Sequence, residues 1–197
     1  LGIIAAGKRG GFVDMIVSSI AAAGLSFPVY VTGTVFILLL SLQLNLLPAS
    51  GYTAFTEDPV AHIQKLLLPA ITVALPLAAS IARMTRSSML EVLGKDFVQT
   101  LRAKGLAEKM IIFKHVLRNA IISVITVIGL ELANLIGGTV LIEFLFNWPG
   151  LSTLLVEAIN NRNYPIIQGS IIVIAAFYIL INRVVEIIYG LMDPRTQ

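Results

Sequence analysis

Glu131 is the one ionisable residue set well inside a long apolar run. A carboxylate in such a place either turns to a hydrogen-bonding neighbour inside a bundle or stands on a polar path through the membrane. Gln43, Asn45, Asn134 and Gln168 pose the same choice with weaker groups. Other stretches invite a chemical reading and do not sustain it. GIIAAGKR, residues 2–9, approaches the phosphate-binding pattern G-x-x-x-x-G-K-S/T, but Arg9 stands where the magnesium-binding hydroxyl belongs and no strand precedes it. It reads instead as a helix end opening into a basic loop, residues 8–14. His62 and His115 have no partner at metal-ligand spacing. With no cysteine, thiolate metal sites, disulfides and cysteine nucleophiles are excluded. No Ser-His-Asp set, acid-base carboxylate pair or H-E-x-x-H can be assembled, so no catalytic residue and no metal site is assigned.

The elements that must position these residues are membrane helices. The chain of 197 residues is 57% hydrophobic and only 13% charged, against about a quarter charged in soluble domains. Its mean hydropathy of +0.90 agrees with an integral membrane protein. Residues 15–56 carry no charge. As one helix, residues 15–47 would extend about 50 Å, beyond the roughly 30 Å hydrocarbon core, so one long or tilted span broken or kinked at Pro28 is expected. Residues 66–82 make the next span, with Pro69 and Pro76 tolerated by packing in a bundle. Residues 120–142 and 166–182 make the third and fourth. LGIIAAG at the start reads as the tail of an apolar run, so the sequence is expected to be a fragment lacking its upstream part. No charged segment with a cleavage site marks a signal peptide.

Between the second and third spans lies a charged island, residues 83–119, holding eight of the 14 Lys and Arg. Ser88 followed by Glu91 predicts a capping box. Leu90, Leu93, Phe97 and Leu101 then form one apolar stripe on a polar helix. Gly105 can take the positive φ that ends this helix, and Glu108 sits near the start of the next. Two readings stand side by side: membrane-surface helices in a solvated loop, or a docking element for a soluble partner. If residues 1–14, 83–119 and 183–197 share one side, that side holds 12 of the 14 basic residues. The positive-inside bias makes it cytoplasmic. The same placement explains the net charge of +3 by membrane topology rather than by nucleic acid.

From the island onward the sequence resembles the permeases of binding-protein-dependent ABC importers, in the dipeptide, oligopeptide and nickel branch. TLRAKGLAEKMIIFKHVLRN, residues 100–119, is similar to the coupling-loop signature of that branch, with Ala103-Lys104-Gly105-Leu106 at its centre and Leu117-Arg118-Asn119 suited to the first of two permease subunits. The resemblance continues through Glu143, Phe146, Trp148-Pro149-Gly150-Leu151, Asn163-Tyr164-Pro165, Gln168-Gly169 and Asp193-Pro194-Arg195, and includes Leu47-Pro48-Ala49-Ser50-Gly51 upstream. Ser123 departs from the proline common there.

The resemblance implies an all-α integral membrane protein of type I ABC importer permease fold: about four complete transmembrane helices, the end of a fifth, and a cytoplasmic two-helix coupling loop. It implies one permease domain, 1–197, with coupling loop 83–119 and extracytoplasmic loops 48–65 and 143–165. By the same resemblance Phe97, Thr100, Leu101, Ala103, Lys104, Gly105, Leu106 and Glu108 contact an ATPase, and Trp148, Pro149, Gly150 and Leu151 serve binding-protein docking or an external gate. Gln43, Glu131, Asn134 and Gln168 are candidates for the translocation path. Implied partners are a second permease subunit, two cytoplasmic ATPases that use ATP and magnesium, an extracytoplasmic substrate-binding protein, and membrane lipid, in a prokaryotic inner membrane. The chain itself would bind no cofactor. The cargo would be a di- or oligopeptide, with glutathione or a nickel complex as alternatives. From other classes, a membrane scaffold with a cytoplasmic docking loop would share the island without a polar path, and an intramembrane enzyme would centre on Glu131.

Overall fold

The computed structural model describes residues 1–192, and every regular element among them is helical. In chain order these are α1 (Gly2–Gly7), α2 (Phe12–Ser26), α3 (Val29–Phe36), α4 (Pro59–Leu93), α5 (Asp96–Ala103), α6 (Glu108–Met110), α7 (Leu117–Gly138), α8 (Val140–Leu145), α9 (Leu151–Asn160) and α10 (Tyr164–Met192). Wider π-helical turns continue α3 over Ile37–Gln43 and join α6 to α7 over Ile111–Val116. Asp193, Pro194 and Arg195 lie outside the described residues.

Three stretches are long and apolar enough to cross a bilayer: Pro59–Leu93, Glu108–Leu132 and Tyr164–Ile188. The pair Phe12–Ser26 and Val29–Gln43 qualifies together as a broken span. Three of the four expected spans are thus matched by single helices with different boundaries, and the first is matched only where the pair, bent by 101°, is one broken span and not a re-entrant loop. Residues 15–47 form two separate helices, because Pro28 stands at φ −56° and ψ 139° ahead of α3 and ends helical geometry there. Helix α4 runs 35 residues, twice the apolar run expected. Asp58 starts it, accepting from the amides of Val60 and Ala61 at 2.9 and 3.0 Å, and Pro59 occupies the first helical turn, where its missing N–H costs nothing. That Asp-Pro pair is a start signal readable in the sequence. Pro69 and Pro76 sit inside α4 without ending it, as expected of a packed membrane helix.

At the other end of α4 the capping box at Ser88 does not form. Ser88 is buried inside the helix, which continues to Leu93 and stops before Gly94. An N-cap needs non-helical backbone, and burial of Met89 and Val92 holds that turn helical. The apolar stripe is therefore divided: Leu90 and Leu93 close α4, and Phe97 and Leu101 belong to α5. The third expected span is likewise interrupted, since α7 ends at Gly138 and α8 begins at Val140.

The chain packs as two compact units. One comprises residues 1–25, 77–131 and the chain from 182. Its core is Met89, Val92, Val98, Ile111 and Val116 with Ala6 and Ala120. The other comprises residues 26–76 and 132–181, cored by Leu68, Ile142 and Phe146 with Val29, Phe36 and Leu40 against them. Gly33 in this unit meets the side chains of Leu145, Thr72 and Phe146 so closely that a Cβ would displace them.

Candidate functional site

The charged island folds into a hairpin of α5 and α6 around Gly105. Asp96 opens α5 in its first turn and Arg102 closes it, each sign matched to the helix dipole. Gly105 takes φ +79°, with its N–H on the Arg102 carbonyl at 2.9 Å and the Leu106 N–H on the Leu101 carbonyl at 3.3 Å. These two bonds make a Schellman cap, and its usual apolar contact is supplied by Leu101 and Leu106, both against the local core. Beyond the turn, Arg102 clasps Glu108 with a fork of 2.5 and 3.2 Å. Beside that carboxylate the Arg102 guanidinium is pushed above its usual pKa by hydrogen bonding. Both side chains are about half exposed, so the pair orients the turn more than it stabilises it.

The eight candidate contacts divide by exposure. Phe97, Thr100, Ala103, Lys104, Gly105 and Glu108 are on the surface, whereas Leu101 and Leu106 are half-buried beneath it. Phe97 keeps 38% of its surface exposed, and Val98 beside it is fully buried in the hairpin's core. The hairpin is thus footed on a core shared with α1, α4 and α7 and turns a polar and aromatic face outward.

In the same unit Asp14, 4% exposed, receives a bidentate bond from Arg86 at 2.5 and 2.8 Å and another from the Gly10 amide at 2.9 Å. This joins the start of α2 to α4 just before the hairpin. Nothing local in the sequence marks it, since the partners lie 72 residues apart. Glu131 accepts from the Ser80 hydroxyl at 2.7 Å, the bundle-facing arrangement considered for it. Gln43, Asn134 and Gln168 lie in the other unit and are exposed.

The stretch around Trp148 is built as tightly as the hairpin. Helix α8 ends in a second Schellman cap: Asn147 takes φ +49°, its N–H bonding the Phe144 carbonyl at 3.2 Å, and the Trp148 N–H bonds the Glu143 carbonyl at 2.8 Å. The Glu143 carboxylate then reaches forward to the N-terminus of α9, accepting from the amides of Ser152 and Thr153 at 3.1 and 2.9 Å and from the Thr153 and Thr139 hydroxyls, both at 3.2 Å. A negative group suits a helix N-terminus, where free amides concentrate. A Cβ on Gly150 would meet that carboxylate, so a larger residue there has to displace the Glu143 side chain.

Trp148 meets the rings of Tyr52 and His62 edge-on at 5.1 and 5.5 Å, and His62 also meets Phe55 at 5.7 Å. The His62 ring bonds the Thr53 carbonyl through Nδ1 at 2.8 Å, and the Lys65 ammonium donates to the Thr53 hydroxyl at 2.6 Å. The Gly51 amide bonds the Phe146 carbonyl at 2.8 Å. Loops 48–65 and 143–165 therefore form one structured surface, and His62, an ordinary polar residue by its sequence, is part of its centre.

Replacing Glu143 with Ala is expected to cost about 1–2 kcal/mol, as for loss of a helix cap. It should also red-shift the emission of Trp148, the only tryptophan in the chain. An unchanged spectrum and unfolding temperature would show that the carboxylate does not hold this loop.

No group of three or more His, Cys, Asp or Glu able to hold a metal occurs among the described residues. Residues 1–197 match the family model of the binding-protein-dependent transport system inner membrane component. The chain is 44% identical over 196 residues to a probable peptide ABC transporter permease protein, y4tP, of Sinorhizobium fredii, covering 100% of this chain and 63% of that one. It is 38% identical over 220 residues to the dipeptide transport system permease protein DppB of Escherichia coli, covering 100% of this chain and 65% of that one. It is 40% identical over 193 residues to the glutathione transport system permease protein GsiC of Escherichia coli, covering 98% of this chain and 60% of that one. The chain thus spans less than two thirds of the length of these relatives. With helical spans as that family requires and a match running over its whole length, the chain belongs to the inner membrane components of binding-protein-dependent transport systems.

Proposed function

We propose that this chain is a permease subunit of an ATP-driven importer of di- or oligopeptides in a prokaryotic inner membrane. The observation that carries the reading is the α5–α6 hairpin, an exposed element with a left-handed glycine turn, anchored through Val98 in a core shared with α1, α4 and α7. In this reading residues 83–119 and the C-terminus are cytoplasmic. One of two ATPase subunits grips the hairpin through Phe97, Thr100, Ala103, Lys104, Gly105 and Glu108, with Leu101 and Leu106 setting the surface from below.

The ATPases use ATP and magnesium, and this chain binds no cofactor and catalyses no reaction. A partner shifts a two-state equilibrium only if it contacts the two states differently, and a stiff hairpin transmits such a difference better than a flexible loop. Residues 1–197 act as one permease domain beside a second permease subunit. Loops 48–65 and 143–165 are extracytoplasmic, where Trp148, Pro149, Gly150 and Leu151 meet a substrate-binding protein or form an outer gate. Glu131 lies near the path with Gln43, Asn134 and Gln168. The names of two relatives specify peptide or dipeptide, and a third specifies glutathione, which makes glutathione the second reading.

Reconstitution of the full-length protein with its partner subunits tests this directly. Dipeptide accumulation should need ATP, the ATPases and the binding protein together; uptake independent of ATP, or accumulation of glutathione alone, would displace the peptide reading. On intact cells an impermeant amine reagent should spare Lys104 and Lys109. Labelling of either would reverse the proposed orientation.

A further inference from the structure

The basic end of α1, which resembles a phosphate loop in sequence without being one, borders an open cleft of about 350 Å³ beside the hairpin. Its walls carry the charged side chains of Lys8, Arg9, Arg102 and Glu108, and its apolar lining includes Leu90 and Ile112. Arg102 and Glu108 satisfy one another across the hairpin turn. Asp14, the nearest acidic residue in sequence to Lys8 and Arg9, is taken by Arg86. Lys8 and Arg9 are exposed and have no carboxylate partner among the described residues. The cleft therefore presents two uncompensated cations in a lining of mixed polarity whose apolar part includes Leu90, Leu93 and Ile112.

That combination fits a ligand with an anionic head and an apolar body. Around it, Leu1, Ile4, Phe12 and Met15 expose apolar side chains on the same stretch of chain. The uncharged run begins immediately after Asp14, and basic residues flanking such a run favour the headgroup region of a bilayer.

We propose that this cleft binds the phosphodiester headgroup of an anionic phospholipid, held by Lys8 and Arg9, with its glycerol and upper acyl chains against the apolar wall. Basic residues at a membrane surface attract anionic lipid by an amount worth about a fivefold change in affinity per charge. The site would tie the footing of the hairpin to the surrounding lipid. Nothing in it depends on which solute is transported.

The test is native mass spectrometry of the assembled transporter, containing the full-length chain, titrated with phosphatidylglycerol or phosphatidylcholine. Phosphatidylglycerol should bind more tightly. The double variant Lys8→Gln, Arg9→Gln should weaken it roughly 25-fold while leaving phosphatidylcholine unchanged. The charge-preserving exchange Lys8→Arg, Arg9→Lys should restore binding, which separates loss of charge from loss of fold. Equal binding of the two lipids, or an unaffected double variant, would overturn the proposal. So would displacement of phosphatidylglycerol by equimolar inorganic phosphate, which would mark a free-phosphate site. A double variant that sheds the ATPases yet keeps its lipid would identify the cleft as a protein-docking face and also overturn it.

Discussion

Gly105→Pro is expected to abolish ATP-coupled uptake while leaving the protein inserted in the membrane. Proline fixes φ near −65°, and residue 105 sits at +79°. It also removes the N–H that bonds the Arg102 carbonyl at 2.9 Å. Both bonds of the Schellman cap then fail, and α5 and α6 lose the turn that aims them. Gly105→Ala is the informative contrast. A Cβ there has nothing within 4 Å to strike, so the only penalty is left-handed backbone, about 1–2 kcal/mol, and most uptake should survive. Transport and ATP hydrolysis measured in parallel distinguish a broken lever from a lost site: hydrolysis should persist without accumulation. Full uptake by the proline variant would remove the lever assignment.

The second large effect concerns the hairpin's footing rather than its turn. Met89 is fully buried, packed with Val98, Ile111 and Val116. Met89→Ala should cost about 2–5 kcal/mol, as removal of a large core side chain does, and should lower the unfolding temperature of the solubilised complex. Phe97 lies on the neighbouring helix but is 38% exposed. Phe97→Ala should leave that temperature nearly unchanged and weaken retention of the ATPases on purification. If Phe97→Ala unfolds as readily as Met89→Ala, Phe97 belongs to the core and not to a docking face. If neither shifts, the cluster does not support the hairpin.

The residues behind these expectations differ in how much of their role is legible in the sequence. Gly105 is legible because a left-handed helix end strongly favours glycine. Pro28 is legible as a break because its ring disfavours helical geometry in the residue before it, although Pro69 and Pro76 carry the same signal and sit inside α4. Ser88 misleads because a capping pattern is only a local preference. Burial of Met89 and Val92 outweighs it and keeps α4 helical. Glu143 stands out only within a longer resemblance, since its role depends on α8 turning back so that one side chain reaches amides nine and ten residues on.

Composition and backbone stereochemistry alone made this an all-helical membrane chain with a basic, glycine-turned hairpin, because those constraints act within one or two helical turns of each residue. Only the tertiary structure joined Asp14 to Arg86, Ser80 to Glu131, and Tyr52 and His62 to Trp148. Each of these contacts links segments distant along the chain. Which distant groups meet is decided by how the apolar faces pack, and no local pattern carries that information.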